Sequence, residues 1–430
     1  MNKLQEIIEQ LKTHNVFLTG GAGVGKSYNT NKVIDHYNEN EQSIVALGST
    51  GISAVNIGGM TVHSFFVFGI SSNFNELLEQ DKRNKKKLTN LRKILKATEL
   101  IIIDEISMIS TELLDMIYFR LINSNFNGKV LFVGDFFQLP PVTKYKKQNL
   151  LFDEALYAFE SQAWQKFNPL VIELTEMKRT KDRDFTKILH KIRVGICDDE
   201  VINYLLYLYK NNSIYSKEHT LLYGRNKEVE ETNIKKINAL KTKETKIYAD
   251  ITVSNMVHPK KIESWKKLLP ILDTLILKVG APVLFTINKR EEFVNGERGI
   301  IEHIDDDFLI IEKSDGELIK LEKYDFELSE ITVNKDDEQK VDNLSLATLS
   351  QFPIKLAYAV TIHKSQGMSI DNLVCNVDNI FAPSQFYVAI SRATDPKNLK
   401  IDFNRGNFRS YIKKIINVDE RVLNYYKEMD

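Results

Sequence analysis

The sequence predicts an α/β protein of two tandem units, each a parallel sheet with helices between its strands. Two observations predict it. One is a glycine-rich turn, GGAGVGKS at residues 20–27, set between the apolar run Val16, Phe17, Leu18 and a helix-compatible segment at 28–37. The other is the alternation that follows, in which apolar runs of strand length are separated by helical periodicity. That alternation starts again after residue 219 and resumes after residue 354. The chain has 430 residues, 43% hydrophobic and 27% charged, which is enough for several domains with their own cores.

Composition narrows the function classes. Fifty-eight basic residues balance 58 acidic ones. No global field therefore draws the chain to nucleic acid or membrane, and any nucleic-acid surface must be a local stripe. Cys197 and Cys375 lie far apart without metal-ligand spacing, and reduced thiols in a cytoplasmic compartment are expected. No stretch approaches the roughly 20 apolar residues of a membrane span. The first fifteen residues read as an amphipathic helix, with Leu4, Ile7, Ile8 and Leu11 on one face, and not as a signal peptide.

The glycine-rich turn carries the first chemistry. Gly20, Gly25, Lys26 and Ser27 fit the pattern G-x-x-x-x-G-K-[ST], with Gly21, Ala22, Gly23 and Val24 between them. Backbone N–H groups of such a loop cradle a polyphosphate. Lys26 adds charge beside the outer phosphates, and Ser27 offers a hydroxyl to Mg²⁺. A second apolar strand follows at 43–50, then a helix-compatible stretch running into the Gly58-Gly59 turn. Residues 67–99 hold the basic run Lys82, Arg83, Lys85, Lys86 and Lys87. Such a run reads as a solvated helix face, with a phosphate-contacting patch on a small insertion as the alternative.

The stretch ELIIIDEISM at 99–108 reads as a strand buried on both faces, with Asp104 and Glu105 at its carboxyl end. Adjacent carboxylates on one strand point to opposite sides. Asp104 suits a metal role, and Glu105 suits positioning and activating a water. A helix at 110–122, an Asn127-Gly128 turn and a strand at 129–142 continue the alternation of a RecA-like sheet. Gln138 lies just past that strand, where an amide can report on a γ-phosphate, in a loop stiffened by Phe136, Phe137, Pro140 and Pro141. Residues 171–180 repeat the strand-then-polar pattern and supply Arg179, and a helical stretch closes at Arg193 and Gly195. Residues 219–240 read as a strand and then a helix. Residues 241–350 differ, with short alternating segments joined by Asn295-Gly296 and Asp315-Gly316 turns, the pattern of a small β-barrel. The α/β pattern returns at 354–371 and 384–399.

Taken together and in order, GGAGVGKS, STGISAVNIGGMTVHSFF, IIIDEISM, GDFFQLPPV, LTEMKRT, AVTIHKSQGMS and FYVAISRAT resemble a superfamily 1B DNA helicase of the petite-integration-frequency (PIF) type. Phage Dda and the RecD motor are more distant relatives. The resemblance runs from about residue 1 to 400. It implies two tandem RecA-like P-loop NTPase domains, with a small wedge insertion in the first and a small Src-homology-type β-barrel in the second. The expected boundaries are 1–172 with a wedge at 67–90, then 173–240 and 351–430, with the barrel at 241–350.

The resemblance also implies roles by matching position. Lys26 and Ser27 hold phosphate and Mg²⁺, while Asp104 and Glu105 serve metal and water. Gln138 senses the γ-phosphate, and Gln366 and Gly367 form the coupling loop near it. Arg179 and Arg392 resemble the two arginines of the second domain that neutralise transition-state charge. Thr50, His63, Ser64, Phe65, His363 and Lys364 match positions that touch single-stranded DNA. Gln5 matches, loosely, an adenine-reading glutamine ahead of the P-loop.

The implied activity is an ATP- and Mg²⁺-dependent 5′ to 3′ motor on single-stranded DNA, acting at single-strand/duplex junctions in replication, repair or recombination. G-quadruplexes and R-loops are among the structured substrates such a motor could meet. The expected protein is intracellular, nucleoid-associated, and monomeric without DNA. Two other readings compete. A protein-remodelling or clamp-loading ATPase would hydrolyse ATP without needing DNA, and an inactive DNA-binding protein would lack some of the catalytic positions filled here.

Overall fold

A computed structural model describes residues 3–69, 71, 73–141, 156–211, 218–254, 257–289, 292–333 and 341–429. The chain divides into two units. The first comprises Met1–Phe136, Pro140–Glu176 and Ser329–Leu346, and the second comprises Phe137–Leu139, Met177–Leu328 and Ala347–Asp430.

The first unit is built on six parallel strands, β1 (Val16–Thr19), β2 (Ile44–Gly48), β3 (Met60–Thr61), β4 (Leu100–Asp104), β5 (Lys129–Val133) and β6 (Leu170–Glu173), in the order β3-β2-β4-β5-β1-β6. Every residue of β1 and of β4 is buried, because helices cover both faces of the sheet. The helix Lys3–Leu11 turns Ile7 and Leu11 into this core, with Leu4 and Ile8 at its margin, as their spacing predicts. The helix Lys26–Glu39 adds Val33 and Tyr37.

β5 stops well short of the strand expected at 129–142. The chain leaves the sheet after Val133 as a loop, and Pro140 and Pro141, which lack the N–H that a ladder needs, could not have continued the strand; Val142 lies outside the described residues.

Two helices, Phe74–Arg83 and Lys85–Ala97, occupy the region read as an insertion. Lys82, Arg83, Lys85, Lys86 and Lys87 are all exposed on them, a solvated face. Their anchor is a charge pair. Arg120 Nη1 and Nη2 donate to the two carboxylate oxygens of Asp81 at 2.6 Å each, and Arg120 Nε donates to the Phe66 carbonyl at 3.1 Å. The Arg120 side chain is only 6% exposed.

The second unit contains β7 (Thr220–Tyr223), β8 (Thr245–Tyr248), β9 (Asp250–Val253), β10 (Thr274–Leu277), β11 (Pro282–Phe285), β12 (Arg298–Ile304), β13 (Phe308–Lys313), β14 (Leu318–Glu322), β17 (Ile354–Leu356), β18 (Ala359–Thr361), β19 (Leu373–Asn376) and β20 (Leu399–Asp402). β15 (Tyr324–Val333) and β16 (Val341–Gln351) are shared in sequence between the units, with Ser329–Leu346 counted in the first. A parallel sheet takes the order β18-β7-β19-β20. An antiparallel sheet, β14-β13-β12-β11-β17, is threaded between β7 and β18. The Asp315-Gly316 turn closes β13 on β14, with Gly316 at φ 86°. Gly296, at φ 89°, has a second constraint: a Cβ there would lie 2.6 Å from Met368 Cβ. The antiparallel sheet is thereby set hard against the segment that follows β18. No described helix is long and apolar enough to cross a membrane.

The Asp81–Arg120 pair generates a stability prediction. Asp81→Ala leaves a buried guanidinium without its carboxylate and should destabilise the first unit by about 3 kcal/mol. Lys86→Ala, on the solvated face, should stay within about 0.5 kcal/mol of the parent. Denaturant unfolding of the two variants checks this, and equal midpoints would refute the anchoring role.

Candidate nucleotide and nucleic-acid sites

In the first unit the glycine-rich turn leaves the carboxyl end of β1 and enters the helix Lys26–Glu39. Gly23 and Gly25 adopt φ 80° and 91°, which an L side chain resists. A Cβ on Gly20 would lie 2.3 Å from the Leu174 carbonyl oxygen. Ala22 and Val24 point inward, 4% and 7% exposed, and so pin the loop to the core. Lys26 Nζ donates to the carbonyls of Gly20 (2.8 Å) and Gly21 (3.0 Å), folding the ammonium back over the loop. Ser27 is exposed at the first turn of the helix.

Asp104 ends β4 and is 9% exposed. Burial, and then the neighbouring Glu105 charge, push its carboxyl up to about 7, against the lowering effects of a backbone hydrogen bond at Glu105 and of Lys26. Glu105 is not part of the strand, as the sequence reading had it. It sits at φ 55°, ψ 50°, in the left-handed region, so the strand rule of alternating faces does not govern it. A non-glycine residue held there costs of order 1–3 kcal/mol, a strain found most often at functional sites.

A buried carboxylate with a raised pKa and a single hydroxyl form a donor set that suits Mg²⁺ shared with nucleotide phosphates. Among the described residues no group of three or more His, Cys, Asp and Glu could hold a metal alone.

The other first-unit candidates fall into different classes. Thr50 caps the helix Gly51–Asn56, with its hydroxyl accepting from Ser53 N at 3.1 Å and sharing a hydrogen bond with Ser53 Oγ. His63 is half-buried and Ser64 exposed on the helix Val62–Phe65. Phe65, matched to the DNA contacts by sequence, is 5% exposed and packs edge-on against Phe66 at 4.9 Å, so most of its ring lies in the core. Gln5 lies on the outer face of its helix.

In the second unit Arg179 donates from Nε to Ser369 Oγ (2.9 Å), from Nη1 to the Ser391 carbonyl (2.7 Å) and from Nη2 to the Gly367 carbonyl (3.4 Å). All three acceptors are neutral. Burial, and then the nearby Arg392 charge, pull the Arg179 guanidinium down to about 9. Arg392 is 1% exposed and donates to the carbonyls of Val388 and Ser365 and to Ser391 Oγ. Two guanidiniums thus share one pocket lined by the HKSQG and ISRAT segments. Gln366 is buried beside it, and Gly367 turns at φ 80°.

Gln138 is 5% exposed and belongs to the second unit together with Phe137. The Phe137 ring stacks on Tyr426 with centroids 4.6 Å apart, and the Arg193 guanidinium lies 4.7 Å from the Phe137 centroid. Tyr426 escaped the sequence reading because nothing local ties a residue near the C-terminus to a loop near residue 137.

His363 and Lys364 form the 3₁₀ turn after β18. Burial lowers the His363 imidazole, while Lys364 is exposed. Lys355 on β17 was also missed. Burial, and then Lys364, pull its ammonium down to about 7, and its Nζ lies 3.9 Å from Met368 Sδ.

With this geometry in place, comparison with known proteins is informative. The profile of the PIF1-like helicase family matches residues 1–202, and a second profile, described as a helicase, matches residues 307–420. An ATP-dependent DNA helicase Pif1 of Campylobacter jejuni is 44% identical over 99% of this chain and 97% of its own length. The chain belongs to the PIF1-like helicase family. The activity that goes with that membership is ATP-dependent DNA unwinding on two RecA-like domains. Among solved structures, a Bacteroides sp. Pif1 in complex with ADP-AlF4 superposes with a TM-score of 0.84 at 26% identity, covering 100% of this chain and 96% of that one. A Bacteroides Pif1 in complex with ADP-AlF3 and single-stranded DNA superposes with a TM-score of 0.65 at 26% identity over the same shares.

The Lys355 ammonium yields a pH prediction. Its pKa is about 7 in the fold and near 10.5 when unfolded, so the unfolded state binds the extra proton between those values. Stability should therefore rise from about pH 7 to about pH 10, with the full penalty present below pH 7. Lys355→Met should remove this part of the slope and raise the midpoint at pH 7. Thermal midpoints across that range check it, and parallel profiles for parent and variant would contradict it.

Proposed function

We propose that this helicase is a 5′ to 3′ motor that hydrolyses Mg²⁺·ATP to move along single-stranded DNA and open duplex at junctions. One observation carries the reading. The short segment His363 to Ser369 carries both His363 and Lys364 and the groups that accept from the arginines, the Ser365 and Gly367 carbonyls and the Ser369 hydroxyl. A change at the arginines must be felt within a few residues of the candidate DNA contacts.

In the proposed cycle the loop at residues 20–27 holds the phosphates through its N–H groups, and Lys26 leaves the carbonyls of Gly20 and Gly21 to meet the outer oxygens. Ser27 and Asp104 would hold Mg²⁺, which neutralises charge on the β- and γ-oxygens. Glu105 orients a water for attack on the γ-phosphorus and accepts its proton as the bond to the β,γ-bridging oxygen breaks, giving ADP and phosphate. Arg179 and Arg392 stabilise the charge that spreads over the equatorial oxygens, and Gln138 reports whether the γ-phosphate is present. His63, Ser64, His363 and Lys364 grip the strand, with Thr50 shaping its path as a helix cap.

Duplex stacking is worth about 1.4 kcal/mol per step, so trapping fraying base pairs requires modest work per step. Backbone contacts and stacking imply little sequence preference, which admits G-quadruplexes and R-loops as substrates, and binding should weaken as salt rises.

The decisive experiment is ATP hydrolysis with and without single-stranded DNA, beside unwinding of 5′-tailed and 3′-tailed duplexes. Strong DNA stimulation with unwinding from the 5′ tail is expected. Hydrolysis indifferent to DNA would favour a different P-loop machine, and preference for the 3′ tail would reverse the assigned direction. Lys26→Ala should abolish turnover and keep most DNA binding; an equal collapse of both would mean that the domain had unfolded.

A further inference from the structure

The loop that joins β19 to the helix Gln385–Ile390 carries a phenylalanine that packing does not account for. Phe381 is 64% exposed. Single exposed apolar residues are ordinary, and exposure alone says nothing. Three features set this one apart.

The loop is held in place from several directions. The Phe381 and Ala382 N–H groups both donate to Gln385 Oε1, at 2.9 and 3.2 Å. Asn379 Nδ2 donates to Glu228 Oε1 at 2.7 Å, and Ser384 N donates to the Asn417 carbonyl at 3.1 Å. The ring is therefore presented on a fixed support. The ring lies beside the His363 imidazole in a strongly offset, nearly parallel arrangement, with centroids 6.2 Å apart and planes inclined by 20°. Burial favours the neutral form of that imidazole, so the two neighbouring rings add no charge of their own.

The third feature is charge. Lys364 follows His363 directly and is exposed, as is Arg225 at the carboxyl end of β7. β7 lies between β18 and β19 in the sheet, so both cations stand at the same end of the sheet as the ring. Two carboxylates lie close in sequence to these groups: Glu228, whose Oε1 accepts from Asn379 Nδ2, and Asp378, whose Oδ1 accepts from the Asn404 N–H at 2.9 Å.

An aromatic platform flanked by exposed cations at fixed positions is the chemistry that binds single-stranded nucleic acid: bases stack on the ring, and phosphates meet the cations. We propose that Phe381, backed by His363, is a stacking platform for one base of the bound DNA strand, with Lys364 and Arg225 taking the flanking phosphates. This rests on the DNA reading of His363 and Lys364 above, and it adds a base contact where that reading had only backbone grip.

The test separates stacking from charge. Phe381→Trp is titrated with oligo(dT) and with an oligonucleotide of the same length and charge made of abasic sugar-phosphate. Quenching of the new indole by oligo(dT) but not by the abasic strand is expected, because only a base can stack on it. Phe381→Ala should bind oligo(dT) about tenfold more weakly than the parent, with the abasic strand bound as before and the salt dependence unchanged. Lys364→Ala and Arg225→Ala should weaken both strands and flatten the salt dependence. Equal quenching by both strands, or an oligo(dT) affinity unaltered in Phe381→Ala while Lys364→Ala weakens binding, would overturn the platform and leave the DNA reading standing. A parent protein that binds neither strand would overturn that reading as well.

Discussion

The guanidinium of Arg179 lies among neutral oxygens beside a second guanidinium, that of Arg392. Burial, and then the like charge of Arg392 beside it, disfavour the charged form of Arg179 and pull its guanidinium down to about 9. The fold supports the pair with carbonyls and hydroxyls from residues 365–369 and 388–391. A phosphoryl group would relieve the repulsion and supply the forked, charge-assisted hydrogen bonds that neutral oxygens give only weakly.

The first unit presents the complementary problem. Asp104 is buried next to Glu105, and each carboxylate raises the cost of charging the other. Glu105 is also held in left-handed backbone, where no strand or helix would put it. Like-charge crowding and backbone strain are both costs that the fold bears. A divalent cation and a nucleotide would offset the first. The second keeps a carboxylate directed away from the ladder that β4 would otherwise impose on it. In each unit, then, the groups that the proposed chemistry needs are the ones that the fold holds at a cost.

Much of this was legible in the sequence. The isoleucines of β4, the apolar run of β1 and the amphipathic spacing of the first helix follow from burial and periodicity, and they appear where those rules place them. The P-loop was legible because its glycines answer to local backbone geometry. What escaped reading depends on contacts between distant residues. Phe65 sits in a motif next to polar neighbours, and only packing against Phe66 shows it to be core. The left-handed turn at Glu105 breaks a strand pattern that sequence alone would continue. Tyr426 and Arg193 flank Phe137 from distant parts of the sequence. The depressed ammonium of Lys355 arises from an enclosure that no window of sequence contains. Phe381 stood beside a recognised motif, yet its exposure and its place beside His363 are tertiary facts.

The central claim is that the paired guanidiniums recognise a terminal phosphoryl group, and nucleotide selectivity tests it most directly. Affinities of the parent and of Arg179→Ala for ADP and for a non-hydrolysable ATP analogue would be measured with Mg²⁺ present. The account predicts that the parent prefers the triphosphate analogue, and that Arg179→Ala loses this preference while still binding ADP. An unchanged preference, or an equal loss of affinity for both nucleotides, would contradict it.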